Sequence, residues 1–366
     1  LFKWFHLPFA TSLIWAGFLA GPNAFDYVAP NETLRMLAFV GANFLMLLAG
    51  FESPDYRSQV FNKRGLILFS FSGIFPAIIG FLIPINLNYD LSASLFVGAM
   101  FLTSSILISS STAEQLGEGN PDFEKVVRSI AGLLDLFGAM IAFLIFKNIE
   151  PHHRFSLPIL LGLLVSLVVV LRLFLPEVIS YFFQRFSERK EHEGRLRLIL
   201  AVLLLVTFVF SMLDVPSIIS SFLIGYCLTS IPDIDDVRDK LRTIGYGFFV
   251  PIFLFLVGLD LDFSFVHEIK SANVVFLGIV LAALLSKVLF GTLGARLVGF
   301  NKRESLLFGM LSSTRLTVAV SVGYIAFQLK VIDSLIYTSL ISITAIGTLI
   351  MPALTVMLHK FQKGDS

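Results

Sequence analysis

The chain is 366 residues long, 56% apolar and 14% charged, with a net charge of +1 and a mean hydropathy of +0.86. Soluble domains are roughly 45–50% apolar and about 25% charged, so a water-soluble globule is excluded, and the balanced charge gives no sign of a nucleic-acid partner. The single Cys227 allows neither an intramolecular disulfide nor a thiolate metal cluster.

The chain begins at Leu1 rather than a methionine, so sequence before it is expected, and no cleavable signal is recognisable in the chain. Charged, Pro/Gly and Asn/Asp clusters divide the chain into twelve apolar spans. They lie near 6–23, 34–51, 65–86, 91–112, 125–147, 157–176, 197–213, 216–231, 244–260, 272–297, 304–328 and 333–358. A helix of about 20 apolar residues crosses about 30 Å of hydrocarbon, so an all-α polytopic membrane protein is expected. The stretch 177–196, with "FFQRFSERKEHEGR", is expected to be a solvated hinge loop between two halves.

Lys and Arg gather at the N-terminus and in every second loop, for example Lys63 and Arg64, Lys125 and Arg128, Arg238, Lys240 and Arg242, and Lys302 and Arg303. By the positive-inside rule this places both ends of the chain in the cytoplasm of a cell-membrane protein.

The first span holds "GFLAG" (17–21) and the eighth "SFLIG" (221–225), at an offset of 204. The second holds "FLMLLAGFE" (44–52) and the ninth "IFLFLVGLD" (252–260), at an offset of 208. A shift of seven spans, an odd number, turns the second copy over in the membrane. Two inverted five-helix repeats are a plan of secondary transporters, whose site lies near the midplane where the repeats meet. The chain holds no GxxxxGK[ST] phosphate loop, so an ion gradient rather than ATP is the expected energy source, and no enzyme is indicated.

Ionisable groups in the membrane interior cost about 2.5–3.5 kcal/mol each on insertion scales, so each needs a reason. Asp135 is central in span five ("SIAGLLDLFGAMIAF"), Lys287 in span ten, and Arg315 and Thr317 in span eleven ("LSSTRLTVAV"). Span four ends in the hydroxyl-rich "LTSSILISSST", and spans four and eleven are repeat mates. Both are expected to be discontinuous crossing helices, whose freed backbone groups Ser and Thr can satisfy. Asp135 is read as the shared ion and proton site. Thr103, Ser104 and Ser105 are read as further oxygen ligands and Lys287 as its charge partner. Arg315 and Thr317 are read as support for the broken helices. The structural alternatives are a non-transporting Asp135–Lys287 ion pair and an Arg315 plug that merely caps freed carbonyls.

At these residues the chain resembles the monovalent cation:proton antiporter superfamily, the bacterial sodium/proton and potassium/proton antiporters. The resemblance rests on "WAGFLAGP" (15–22), "FVGANFLMLLAGFES" (39–53), "GYGFFVPIFLFLVGLDLD" (245–262) and "SKVLFGTLGARLVG" (286–299). It implies the sodium/proton antiporter fold, with no cofactor and with sodium or potassium and protons as cargo. It also implies a homodimer among membrane lipids. Residues 1–64 and 216–270 would form the dimerisation scaffold, 156–215 linker helices, and 65–155 and 271–360 a core moving like an elevator. The family's fifth helix carries an Asp-Asp or Asn-Asp pair whose second member falls on Asp135, with Leu134 at the first position. Its eleventh-helix "RGE" reads Arg315-Leu316-Thr317.

The function expected is therefore alternating-access exchange of a monovalent cation for protons through Asp135. The rivals are a sodium-coupled symporter for an organic anion, which shares the inverted-repeat plan, and a transport-inactive sensor homologue, suggested by Leu134 and Thr317.

Overall fold

The computed structural model describes residues 9–53, 62–115, 121–149, 157–188, 193–213, 215–231, 234–264 and 270–363. Among these the regular structure is helical, with no strands. The helices are α1 (Phe9–Ala20), α2 (Glu32–Glu52), α3 (Lys63–Asn86), α4 (Leu91–Leu102), α5 (Ile106–Gln115), α6 (Pro121–Ile149) and α7 (Leu157–Glu188). They continue as α8 (Gly194–Met212), α9 (Ser217–Leu228), α10 (Asp235–Leu259), α11 (Lys270–Leu297), α12 (Lys302–Ser312), α13 (Thr317–Gln328) and α14 (Ser334–Lys363). Each expected span carries helix, and the fourth and eleventh are each split in two. Among the described residues nine spans are long and apolar enough to cross a membrane, counting α12 and α13 as one. The windows differ in what they face: 94% of the α12–α13 span is buried inside the protein, against 6% for α7.

One expectation is corrected. The loop expected from residue 177 does not start there, because α7 continues through Pro176 to Glu188. Leu175, Ile179 and Phe183 are all buried at a spacing of four, so an apolar stripe keeps the helix packed beyond the proline. Residues 189–192 of that stretch lie outside the described residues.

The chain forms two compact units, one gathering residues 1–32, 54–145 and 254–366 and the other residues 33–53 and 146–253. Within the first, α1 crosses α10 at Gly17 and Gly258. A Cβ on Gly258 would run into the Ile14 carbonyl and lie 2.8 Å from the Phe18 nitrogen, so only glycine allows this approach. Within the second, α9 meets α2 at Gly225 and Gly50, where a Cβ on Gly50 would run into the Phe222 carbonyl and lie 2.8 Å from the Tyr226 nitrogen. Every partner in one crossing maps onto its counterpart in the other at a single offset of 208, the separation that also divides Ser104 from Ser312. The 204 offset suggested by "GFLAG" and "SFLIG" is therefore replaced: what recurs is backbone contact geometry, and Gly17 corresponds to Gly225.

The crossings make a prediction. Gly258→Ala should lower thermal stability in detergent markedly, because the new methyl meets backbone that cannot move aside. Gly278→Ala on α11, where nothing lies within 4 Å, should be neutral or gain up to about 1 kcal/mol from helix propensity. Equal melting temperatures for the two variants would contradict the close crossing.

Candidate functional site

The site is built within the first unit from two helix breaks and the side chains that cap them. The first break follows α4, where Thr103 turns extended (φ −60°, ψ 154°) before α5 begins at Ile106. The second follows α12. Three successive hydroxyls fold back there on the last turn: Ser312 on the Gly309 carbonyl at 2.9 Å, Ser313 on Met310 at 2.6 Å and Thr314 on Leu311 at 2.8 Å. Hydroxyls that bind local carbonyls compete with helix continuation, and α13 restarts at Thr317.

The two breaks are joined to each other. Ser105 N–H donates to the Thr314 carbonyl at 2.8 Å, and the Ser104 hydroxyl donates to the Ser312 carbonyl at 2.9 Å. The expected pair of discontinuous helices is thus present, and its breaks meet.

Asp135, on α6, reaches this junction and is 2% exposed. Its Oδ1 accepts from Ser104 N–H at 3.1 Å, and its Oδ2 from the Thr317 hydroxyl at 3.5 Å. The carboxylate therefore sits where α5 and α13 begin, facing the positive ends of two half-helices. The opposite ends carry the cations. Lys287 Nζ, fully buried on α11, donates to the carbonyls of Leu102 at 2.8 Å and Thr103 at 2.6 Å. Arg315 Nη2 donates to Phe101 O at 3.1 Å and Ala283 O at 3.4 Å. Positive groups thus cap the carbonyl end of α4, while Asp135 faces the N–H ends.

All seven residues singled out in the sequence converge here. The ammonium of Lys287 makes no direct ion pair with Asp135 among the described residues: its hydrogen bonds go to backbone, and the two charges act on each other at longer range. Arg315 also keeps Nε and Nη1 buried without a hydrogen-bond partner. The hydroxyl of Thr103 donates to Met100 O at 2.8 Å, and that of Ser105 accepts from Ile108 N–H at 3.5 Å. Leu134 belongs to an apolar cluster with Leu68, Leu102, Val127 and Leu311. Asp262 is held by Ser264 N–H and the Ser334 hydroxyl, away from this junction.

The residues that sequence reasoning missed are Ser312, Ser313 and Thr314 as helix terminators. The adjacent "SST" before a buried arginine is the signal that would have found them.

Comparison with known proteins agrees with this architecture. The family described as sodium/hydrogen exchanger, transmembrane, matches residues 1–360. A protein named probable Na(+)/H(+) antiporter 3 from Methanocaldococcus jannaschii is 26% identical over 96% of this chain and 90% of its own length. The Na(+)/H(+) antiporter of Enterococcus hirae is 24% identical over 95% of this chain and 91% of its own. The solved structure of the sodium proton antiporter MjNhaP1 from Methanocaldococcus jannaschii superposes with a TM-score of 0.63 at 17% identity, covering 99% of this chain and 92% of that one. The fold is thus the sodium/proton antiporter fold, in a multi-pass membrane protein. On the match across nearly its whole length, the chain belongs to the transmembrane sodium/hydrogen exchanger family.

Proposed function

We propose that the chain is a secondary antiporter that exchanges a monovalent cation, sodium or potassium, for protons by alternating access, with Asp135 as the shared site. The observation that carries this reading is a carboxyl group at a double helix break that has no ion-pair partner among the described residues. An acid so placed is free to trade a proton for a metal cation. Ser104 N–H and the Thr317 hydroxyl hold its two oxygens, and the two half-helix N-termini support the ionised form. Hydroxyl oxygens of Thr103, Ser104 and Ser105 supply further ligands to the dehydrated cation. Lys287 and Arg315 hold the carbonyl end of α4 while the cargo changes. The names of the relatives, Na(+)/H(+) antiporters, support the same class of cargo.

The same reading gives a homodimer in the cell membrane with both ends of the chain cytoplasmic, as the Lys/Arg distribution supports. The transport core comprises 65–155 and 271–360, which carry every site residue. Residues 1–64 and 216–270 serve as scaffold, and 156–215 link the halves.

The test is dissipation of a preset pH gradient in proteoliposomes on adding sodium, potassium or lithium. A response to at least one cation is expected. A chain silent to all three would be a transport-inactive homologue, and one needing an organic anion a symporter; either result defeats the proposal.

Stoichiometry gives a further prediction. Leu134, packed among apolar side chains, binds neither proton nor cation, so Asp135 alternates between a neutral acid and a carboxylate neutralised by one cation. Both loaded forms carry equal charge, and a membrane potential, which acts with about 2.3 kcal/mol per unit charge per 100 mV, has nothing to act on. Exchange in liposomes clamped at zero and at an inside-negative potential should reach the same equilibrium coupling. A potential-dependent equilibrium would rule out one-for-one exchange.

A further inference from the structure

An apolar groove of about 670 Å³ runs along the outer face of α11, closed on one side by Ile79 of α3 and on the other by Leu306 of α12. Its lining on α11 extends from Ala282 to Leu293, which at 1.5 Å per residue is roughly 16 Å. That is about half of a 30 Å hydrocarbon core, the depth of one leaflet. Leu285 and Leu289 stand at its mouth, 63% and 57% exposed on a membrane-spanning helix.

One end of the groove is cationic. Arg296 lies in the last turn of α11, just beyond Leu293. A tight turn comes next, with Phe300 N–H on the Ala295 carbonyl and Gly299 at φ +97°, and α12 starts just after it at Lys302. Lys63 and Arg64 open α3, whose Ile67 and Phe71 lie against Gly294. The acid on the same turn, Glu304, is engaged with the Asn301 backbone N–H in a capping box. A leaflet-deep apolar groove with exposed bases at the helix ends next to it has the shape and charge of one ligand class. Basic clusters at a membrane surface attract anionic headgroups, and an apolar slot within the bilayer is filled by hydrocarbon.

We propose that this groove holds an acyl chain of an anionic phospholipid whose phosphate is bound by Arg296 and Lys302, with Lys63 and Arg64 completing the rim. Ser286 and Val288, which line the groove, flank Lys287, so the bound chain lies against the turn that carries that ammonium.

Native mass spectrometry of the detergent-purified full chain tests this, with phosphatidylglycerol and phosphatidylcholine of identical acyl chains as probes. Phosphatidylglycerol should be retained preferentially. Arg296→Gln with Lys302→Gln should weaken it roughly thirty-fold, at about fivefold per basic charge near the surface, and leave phosphatidylcholine unchanged. Leu289→Trp, which fills the groove from its exposed side, should displace both lipids, and Leu285→Trp serves as the second variant if the first folds poorly. Equal retention of the two lipids, or undiminished binding in a folded tryptophan variant, would overturn the proposal. So would disulfide-linked dimers of Leu289→Cys, which would mean that a second copy covers the groove. No ion flux is measured, so the result stands apart from the exchange reading.

Discussion

Asp135→Asn should leave a folded, membrane-inserted protein whose cation-driven proton flux falls to the level of protein-free liposomes. The amide can still accept from Ser104 N–H through its oxygen, so the junction of the two breaks keeps its hydrogen bond. What is lost is the ability to hold a proton in one state and a cation in the other. The change also removes an ionisable group whose insertion costs about 2.5–3.5 kcal/mol, so no loss of expression is expected. Thr317→Ala should be far milder. Its hydroxyl lies 3.5 Å from Oδ2, and a single hydrogen bond contributes about 0.5–1.5 kcal/mol, so a severalfold fall in apparent cation affinity is expected. Flux measurements in proteoliposomes, with size-exclusion profiles as the folding control, check both. Parent-like flux in Asp135→Asn would remove the antiport reading altogether.

Lys287→Met should produce the largest stability loss of any polar substitution at the site. Its ammonium is the partner of the Leu102 and Thr103 carbonyls, and hydrogen bonds to charged groups contribute about 1.5–3 kcal/mol each. A loss of roughly 3–6 kcal/mol is expected, read as a fall in the melting temperature in detergent. A double-mutant cycle with Asp135→Asn then separates two roles for the lysine. If Lys287 acts chiefly on the broken helix, the two changes add to within about 0.5 kcal/mol. A strong coupling would instead make Lys287 the direct electrostatic partner of Asp135. A parent-like melting temperature for Lys287→Met would show that the α4 carbonyls have another cap.

Much of this was legible locally. Hydropathy marked the spans, because the length of an apolar run answers directly to the thickness of hydrocarbon it must cross. Asp135, Lys287 and Arg315 stood out because charge in such runs is expensive wherever the helices end up. The hydroxyl-rich end of span four and the polar centre of span eleven pointed to broken helices, although the part played by Ser312, Ser313 and Thr314 in ending α12 showed only in the fold. By itself, then, the sequence determined the solvent, the helices, the places where they break and the buried charges that need a reason.

Who meets whom was decided only in three dimensions. Lys287 is 185 residues from the Leu102 carbonyl that it caps, and nothing near it in the chain reveals that its hydrogen bonds go to backbone. Similar strings gave two offsets, 204 and 208, and only the Gly17–Gly258 and Gly50–Gly225 crossings chose 208 for both. Helix α7 outran its expected end because Ile179 and Phe183 are buried by packing. Composition and hydropathy are properties of segments, and segments carry them into the membrane unchanged. The partner of a freed carbonyl or a buried carboxylate is a property of how helices cross, and only the assembled fold supplies it.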